Sequence, residues 1–249
     1  MDHSEERARR ASSFGSQAAA YAKYRPDYPQ DLLEWALAPV RSAPGLRVLD
    51  VGAGTGKLTG GLLALGVDVV AVEPDPAMLA ELTSRFPDVA TLLGTAEDIP
   101  LPDASVNAVF AGQALHWFDL DLALPEVRRV LRPGGVLVAV WNAYDDTVPW
   151  VAEFCRTSGS VARSAQDITS DLLDPLGPAE VIEFPNRVRR TVDSLVATVA
   201  TQSAMLVSTP EERDQALSGV REFLLTNPAT GHGEFDVPMV TFAIRATRS

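Results

Sequence analysis

The run Arg47-Val48-Leu49-Asp50-Val51-Gly52-Ala53-Gly54-Thr55-Gly56 constrains this chain more than any other segment. A short apolar stretch ends near an acid and turns through three glycines. Apolar residues at helical spacing follow from Lys57 to Leu65. A strand, a glycine turn and a helix N-terminus together leave backbone N–H groups on which the polar end of a ligand can lie. Glycine permits positive φ and lets a ligand approach the main chain without meeting a Cβ. Taken alone, the pattern is also compatible with a turn that only shapes an α/β fold.

The pattern around this run alternates. Arg47–Val51 reads as a strand, Lys57–Leu65 as a helix with Gly66 as its stop, and Val67–Val72 as a buried parallel strand. Asp75 caps a helix with Pro76 at its first position, and Pro87 follows its end. Val89–Leu93 and Val106–Ala111 read as further strands, Leu120–Leu131 as a helix in which Pro125 starts a fresh turn, and Gly135–Trp141 as a fifth strand. Strands alternating with helices predict βαβ units and an open, mostly parallel sheet with helices on both faces. The flanks differ. Residues 1–45 read as a helical arm in two pieces, broken around Pro26 and Pro29. Val181–Thr191 reads as a strand region broken at Pro185-Asn186, Ser194–Val207 and Glu211–Leu225 as helices, and Val237–Ala246 as a last strand.

Composition narrows the partners. The 249 residues are 46% hydrophobic, enough for a full core. The formal charge of −12 opposes binding to phosphate backbones, so the expected partner is a small molecule and not a nucleic acid. Cys155 is the only cysteine, which rules out a disulfide within the chain and a zinc site built on cysteine clusters. No stretch reaches the ~18 apolar residues of a spanning helix, and Met1–Arg10 has no apolar signal core. The expectation is a cytoplasmic protein without membrane contact, a monomer or homodimer, and without a metal site.

Two ligand classes compete for the glycine turn. Dinucleotide sites use G-x-G-x-x-G and bring a pyrophosphate to the helix N-terminus. This spacing is G-x-G-x-G, with Asp50 two residues before the first glycine. A carboxylate there repels a phosphate and attracts an ammonium or sulfonium, which favours S-adenosylmethionine (SAM) over NAD. Glu73, at the end of the second strand, can accept hydrogen bonds from both hydroxyls of a ribose, although a solvated strand-end acid is the alternative.

Asp50–Gly56 resembles the first motif of the class I SAM-dependent methyltransferases, and three further stretches match in order. They are Glu73 with Pro74; Gly94-Thr95-Ala96-Glu97-Asp98-Ile99-Pro100-Leu101; and Leu131-Arg132-Pro133-Gly134-Gly135. The resemblance implies a Rossmann-like, open, twisted seven-stranded α/β sheet with an antiparallel last strand and a helical lid. It implies SAM as cofactor, with S-adenosylhomocysteine as product. Asp50, Gly52, Ala53, Gly54, Thr55 and Gly56 would then shape the methionine end. Glu73, Pro74 and Met78 would flank the ribose, and Ala96 and Glu97 would hold the adenine. One departure is Asn107, where the family usually has an acid at the start of the fourth strand.

Gly112-Gln113-Ala114-Leu115-His116-Trp117-Phe118 is similar to the type-11 and trans-aconitate-methyltransferase-like small-molecule enzymes. So is Phe14-Gly15-Ser16 through Tyr21, Tyr24, Arg25-Pro26 and Tyr28-Pro29. By that resemblance the N-terminal segment closes over the cofactor, with Arg25 pairing the methionine carboxylate and Tyr21 lining the pocket. A packed arm is the alternative for this Tyr- and Pro-rich run. Gln113, His116 and Trp117 are the candidates near the transferred methyl. His116 could take a proton at neutral pH, or could simply pack beside Trp117. Trp141 and Asn142, at the end of the fifth strand, are expected to face the acceptor, with core packing as the alternative. The domains expected are the arm 1–45, a SAM-binding core 46–145, and a helical lid with the last strands, 146–249. The function expected is methyl transfer to a small molecule at oxygen. An NAD(P)-dependent oxidoreductase and a non-catalytic SAM-binding protein are the competing readings.

Overall fold

The computed structural model describes residues 17–163, 173 and 176–248. Phe14-Gly15-Ser16, and part of the expected arm and lid, lie outside the described residues. Helices α1 (Ala18–Tyr24) and α2 (Gln30–Leu37) precede the sheet. The chain continues through β1 (Arg47–Val51), α3 (Lys57–Ala64), β2 (Asp68–Glu73), α4 (Pro76–Arg85), β3 (Ala90–Leu93) and β4 (Val106–Gly112). Then come α5 (Leu120–Val130), β5 (Leu131–Tyr144), α6 (Pro149–Ser158), β6 (Ala179–Arg190), α7 (Val192–Ala200), α8 (Ser203–Val207), α9 (Pro210–Thr226) and β7 (Phe235–Thr247). The expected cap on α4 is present: Asp75 Oδ1 accepts from the Ala77 and Met78 amides at 2.8 and 3.2 Å.

The strands form one seven-stranded sheet in the order β3-β2-β1-β4-β5-β7-β6. The pairs β1–β2, β2–β3, β1–β4 and β4–β5 are parallel. Strand β7 runs antiparallel to β5: Gly134 N donates to Arg248 O near one end and Asp145 N to Pro238 O near the other. It runs antiparallel to β6 as well, with Arg245 paired to Glu180 and Arg189 to Asp236. The strand order reverses between β1 and β4, so the crevice beyond the carboxyl end of β1 is where such sheets bind ligands.

By packing, the described residues form two compact units. The sheet unit comprises residues 27–141, 173, 176–184 and 242–248; the second unit comprises 17–26, 142–163 and 185–241. The sheet unit is covered on both faces, which explains its continuous apolar strands. Leu49, Val51, Val70, Val109 and Leu137 pack with Leu124 and Val127 of α5. Val48, Val69, Phe110 and Val138 pack with Leu33 and Leu37 of α2 and Leu58 and Leu62 of α3. The second unit has its own core, with Tyr144, Val151, Phe154, Leu195, Val199, Leu224 and Val237.

Three expectations need correction, each for a reason of context. Pro125 does not start a turn; it lies inside α5. Its missing N–H leaves the carbonyl of Asp121 without a helical donor, and both residues are exposed, where such a carbonyl costs little. Pro185-Asn186 does not break β6, which is continuous. This strand is at the sheet edge, where a missing donor removes no ladder bond. The helix expected over Ser194–Val207 is divided into α7 and α8, because the chain turns at Thr201.

Candidate active site

In the sheet unit the tip of β1, the tip of β2 and the segment after β4 converge. Gly52, Gly54 and Gly56 all have positive φ, at 66°, 56° and 79°. They differ in what a side chain would meet. A Cβ on Gly56 would lie 2.9 Å from Leu82 Cγ and from the Phe86 ring. A Cβ on Gly52 would lie 2.9 Å from Ala114 Cβ. At Gly54 it would meet nothing within 4 Å. The outer glycines therefore allow close packing, and the middle one opens onto free space. No side chain caps the N-terminus of α3, so its first amides are left to other partners.

The contact at Gly52 places the Gly112–Phe118 segment against the glycine turn. Gln113 has φ 55°, uncommon for a residue with a side chain, and its amide donates to Val140 O at 2.8 Å. The segment then makes a tight turn, Leu115–Trp117, in which the His116 and Trp117 rings are 4.7 Å apart. His116 is open to solvent. Desolvation by the surrounding protein nonetheless lowers its pKa from 6.5 to about 4. The open ring discounts the size of that depression, but the direction leaves the imidazole neutral at pH 7.

The two acids are handled differently. Glu73 Oε2 accepts from Gly54 N at 2.8 Å and Oε1 from Asp75 N at 2.9 Å. Burial raises its pKa and these two amide bonds oppose the rise. Each oxygen keeps a further lone pair, which suits a vicinal diol. Asp50 is fully buried. Its Oδ2 accepts from Thr59 Oγ1 at 2.6 Å, and its Oδ1 has no hydrogen-bond partner. Burial raises its pKa to about 7, against the bonds from Thr59. Asp50 is thus a sealed carboxyl beneath the glycine turn, not a carboxylate displayed in the crevice.

The remaining predicted residues divide. Ala53 and Thr55 lie in the turn and are buried, with Thr55 Oγ1 unpartnered. Pro74 is exposed at the rim, and Met78 is buried on α4. Ala96 is buried in the loop after β3, whose Gly94 amide donates to Glu73 O at 3.4 Å. Glu97 Oε1 accepts from Asp119 N at 2.8 Å, so one of its oxygens ties this loop to the start of α5. Trp141 and Asn142 are both buried near the end of β5. Trp141 is buried in the sheet core. Asn142 Oδ1 accepts from Thr241 Oγ1 at 2.5 Å and from Asn186 Nδ2 at 3.1 Å, in the second unit. Tyr21 and Arg25 also belong to the second unit. Asn107, the departure noted above, is buried, and its Oδ1 accepts from Arg47 N and Arg132 Nη1 at 3.0 and 3.1 Å, which is a structural use.

Comparison with known proteins decides the family. A family profile described as a methyltransferase domain matches residues 49–139. An uncharacterized methyltransferase of Mycobacterium tuberculosis is 43% identical over 238 residues, 94% of this chain and 95% of its own. The chain belongs to the class I SAM-dependent methyltransferases. A methyltransferase-like protein of Schizosaccharomyces pombe is 32% identical over 223 residues, 87% of each chain. Among solved structures, a protein of Anaeromyxobacter dehalogenans described as a type II methyltransferase superposes with a TM-score of 0.66. It is 29% identical and covers 90% of this chain and 98% of its own. The enzyme's geometry fits the cofactor of its family: an open space above Gly54, a preoriented carboxylate in Glu73 and a buried Asp50 carboxyl with one oxygen unpartnered. The nicotinamide reading gives way to methyl transfer.

Several site residues carry no signal as motifs. Thr59 holds Asp50; a small hydroxyl on the apolar face of α3, nine residues on, was the available hint. Tyr28, quoted above only as part of the N-terminal resemblance, gains a place from its contact: its hydroxyl lies 2.8 Å from where a Gly112 Cβ would be. Lys57 Nζ pairs with Asp27 Oδ1 at 3.0 Å and pins the chain beside Tyr28 to the start of α3. No group of three or more His, Cys, Asp or Glu among the described residues could hold a metal ion. No helix among them is long and apolar enough to cross a membrane.

Proposed function

We propose that the enzyme methylates an oxygen of a small-molecule acceptor, with the glycine turn and Glu73 holding SAM. The observation that carries this reading is the Glu73 carboxylate, fixed by the Gly54 and Asp75 amides beside the open position above Gly54. Bound SAM supplies a methyl group already activated on a sulfonium. Glu73 accepts from the ribose hydroxyls, and the Gly52–Gly56 backbone lines the methionine end. Asp50 adds negative potential from beneath. Ala96 and its loop bound the adenine, with Pro74 and Met78 beside the ribose.

Gln113, His116 and Trp117 face the acceptor in this reading. An amine acceptor arrives protonated, with a pKa of roughly 10, and has to lose that proton to a base before transfer. His116, neutral and weakly basic, is poorly matched to that task. It suits an oxygen, which it orients by accepting a hydrogen bond. Positioning and exclusion of water then carry the rate. The acidic chain disfavours nucleic-acid acceptors.

The test is to incubate the enzyme with methyl-tritiated SAM and a cell extract separated into small-molecule, nucleic-acid and protein fractions. Label is expected in the small-molecule fraction, bound at oxygen by mass spectrometry. Label confined to a macromolecular fraction, or to nitrogen or carbon, contradicts the reading.

A further inference from the structure

We propose that Glu126 and Arg129 of α5 are positioning residues for the adenine end of the cofactor, acting through the main chain of the loop after β3. The proposal rests on the cofactor reading above, in which that loop bounds the adenine. All the residues it uses belong to the sheet unit.

The loop from Gly94 to Asp103 has no helix or strand, and Pro100 and Pro102 bring no N–H to it. Within it, Asp98 N donates to Thr95 Oγ1 at 3.2 Å and Leu101 N to Ile99 O at 2.7 Å. Its path is fixed largely from α5. Arg129 Nη2 donates to Ile99 O and Nη1 to Leu101 O, both at 2.8 Å. Nε and Nη2 donate to the two oxygens of Glu126, each at 2.7 Å, and Nη1 also donates to Asp103 Oδ1 at 2.8 Å. These bonds engage all five N–H donors of the guanidinium. Glu126 completes the arrangement, its Oε2 accepting from Ile99 N at 3.1 Å.

Ile99 therefore has its amide held by Glu126, its carbonyl by Arg129 and its side chain by the sheet core. Ala96 and Glu97, the residues assigned to the adenine, stand just upstream. The same helix reaches them at its other end, where Asp119 N donates to Glu97 Oε1. A partly exposed ion pair contributes little by itself. A bidentate fork, however, fixes the planes of both groups and so sets position as a point charge would not. Three of its bonds go to main-chain groups of the loop, and what they define is the backbone path that meets the base. The Arg129 bonds also hold the Glu126 carboxyl below the usual carboxylate range, which keeps the fork charged.

Calorimetry on the full chain compares S-adenosylhomocysteine with S-inosylhomocysteine. The two differ only at the base edge: hypoxanthine has a carbonyl in place of the amino group, and its N1 becomes a donor. The wild type is expected to prefer the adenine ligand about tenfold or more. Arg129→Lys keeps the charge and loses the fork. It is expected to weaken S-adenosylhomocysteine about tenfold and S-inosylhomocysteine no more than about twofold. Glu126→Gln, which keeps an acceptor for Ile99 N, is expected to lower the preference about threefold, and it carries the test if Arg129→Lys melts early. Wild-type preference retained in the folded variants overturns the proposal. So does equal weakening of both ligands, the mark of a role confined to folding. A wild type that binds both bases alike removes the loop from the adenine, and the proposal with it. A wild type that binds neither ligand overturns the cofactor reading itself.

Discussion

The glycine turn of the sheet unit and the surroundings of Arg25 and Arg190 in the second unit are built on opposite backbone groups, amides in the one and carbonyls in the other. In the turn, backbone does the holding: the amides of Gly54 and Asp75 orient Glu73, and positive φ opens the space above Gly54. Around Arg25 and Arg190, backbone carbonyls do the holding: the Tyr24 carbonyl accepts from Arg190 and Thr198, the Thr201 carbonyl accepts from Arg25, and the Tyr21 ring lies against the Arg25 guanidinium. A backbone site admits few residue types, because only glycine meets its steric demands.

The largest effect should come from the glycines, and it should split. Gly56→Ala forces a Cβ against Leu82 and Phe86 and should cost about 3 kcal/mol or more of stability, read by denaturant unfolding. Gly54→Ala meets no neighbour and should cost only about 1–2 kcal/mol for its left-handed backbone. It should nonetheless lose S-adenosylhomocysteine binding about tenfold or more by calorimetry. Equal stability costs, or intact binding in Gly54→Ala, would break the distinction between packing and ligand glycines.

Next in size is Glu73→Gln, which keeps the shape and removes the charge. Affinity for S-adenosylhomocysteine should fall about tenfold, in line with charge-assisted bonds of ~1.5–3 kcal/mol each. Asp50 should act on stability through pH. Its folded pKa, about 7, lies above the unfolded 3.8, so the native state binds more protons across that window. The contribution of this group is then largest below pH 4, falls as pH rises from 4 to 7 and levels off above 7, a change of up to ~4 kcal/mol. Asp50→Asn should flatten that part of the profile in urea unfolding. An unchanged slope would show that the buried carboxyl is not the group responsible.

The smallest effect concerns His116. Its imidazole signal, followed by NMR from pH 4 to 8, should titrate well below 6.5 because desolvation disfavours the charged ring. A midpoint near 6.5 would return it to the role of general base.

Much of this was legible beforehand, and what was not shares one cause. The order of β1 to β5 follows from alternating apolar runs, and the α4 cap from Asp75-Pro76, since both depend on neighbours in sequence. Pro125 and Pro185 depart from what their local sequence implies because their tolerance depends on an exposed helix face and a sheet edge. Asp50 and Glu73 look alike as strand-end acids, but Thr59 seals one while the Gly54 and Asp75 amides present the other. Trp141 and Asn142 end the expected strand, yet β5 runs on to Tyr144 and buries both. Burial is set by distant segments, and no local pattern announces it.

Calorimetric titration of the unliganded wild-type enzyme with SAM and, separately, with NADH puts the central claim most directly at risk. One molecule of SAM per chain should bind, NADH should give no heat, and Gly54→Ala and Glu73→Gln should each weaken SAM while the fold persists. Saturable NADH binding, or SAM affinity indifferent to both substitutions, would contradict a donor site built on the β1 and β2 tips.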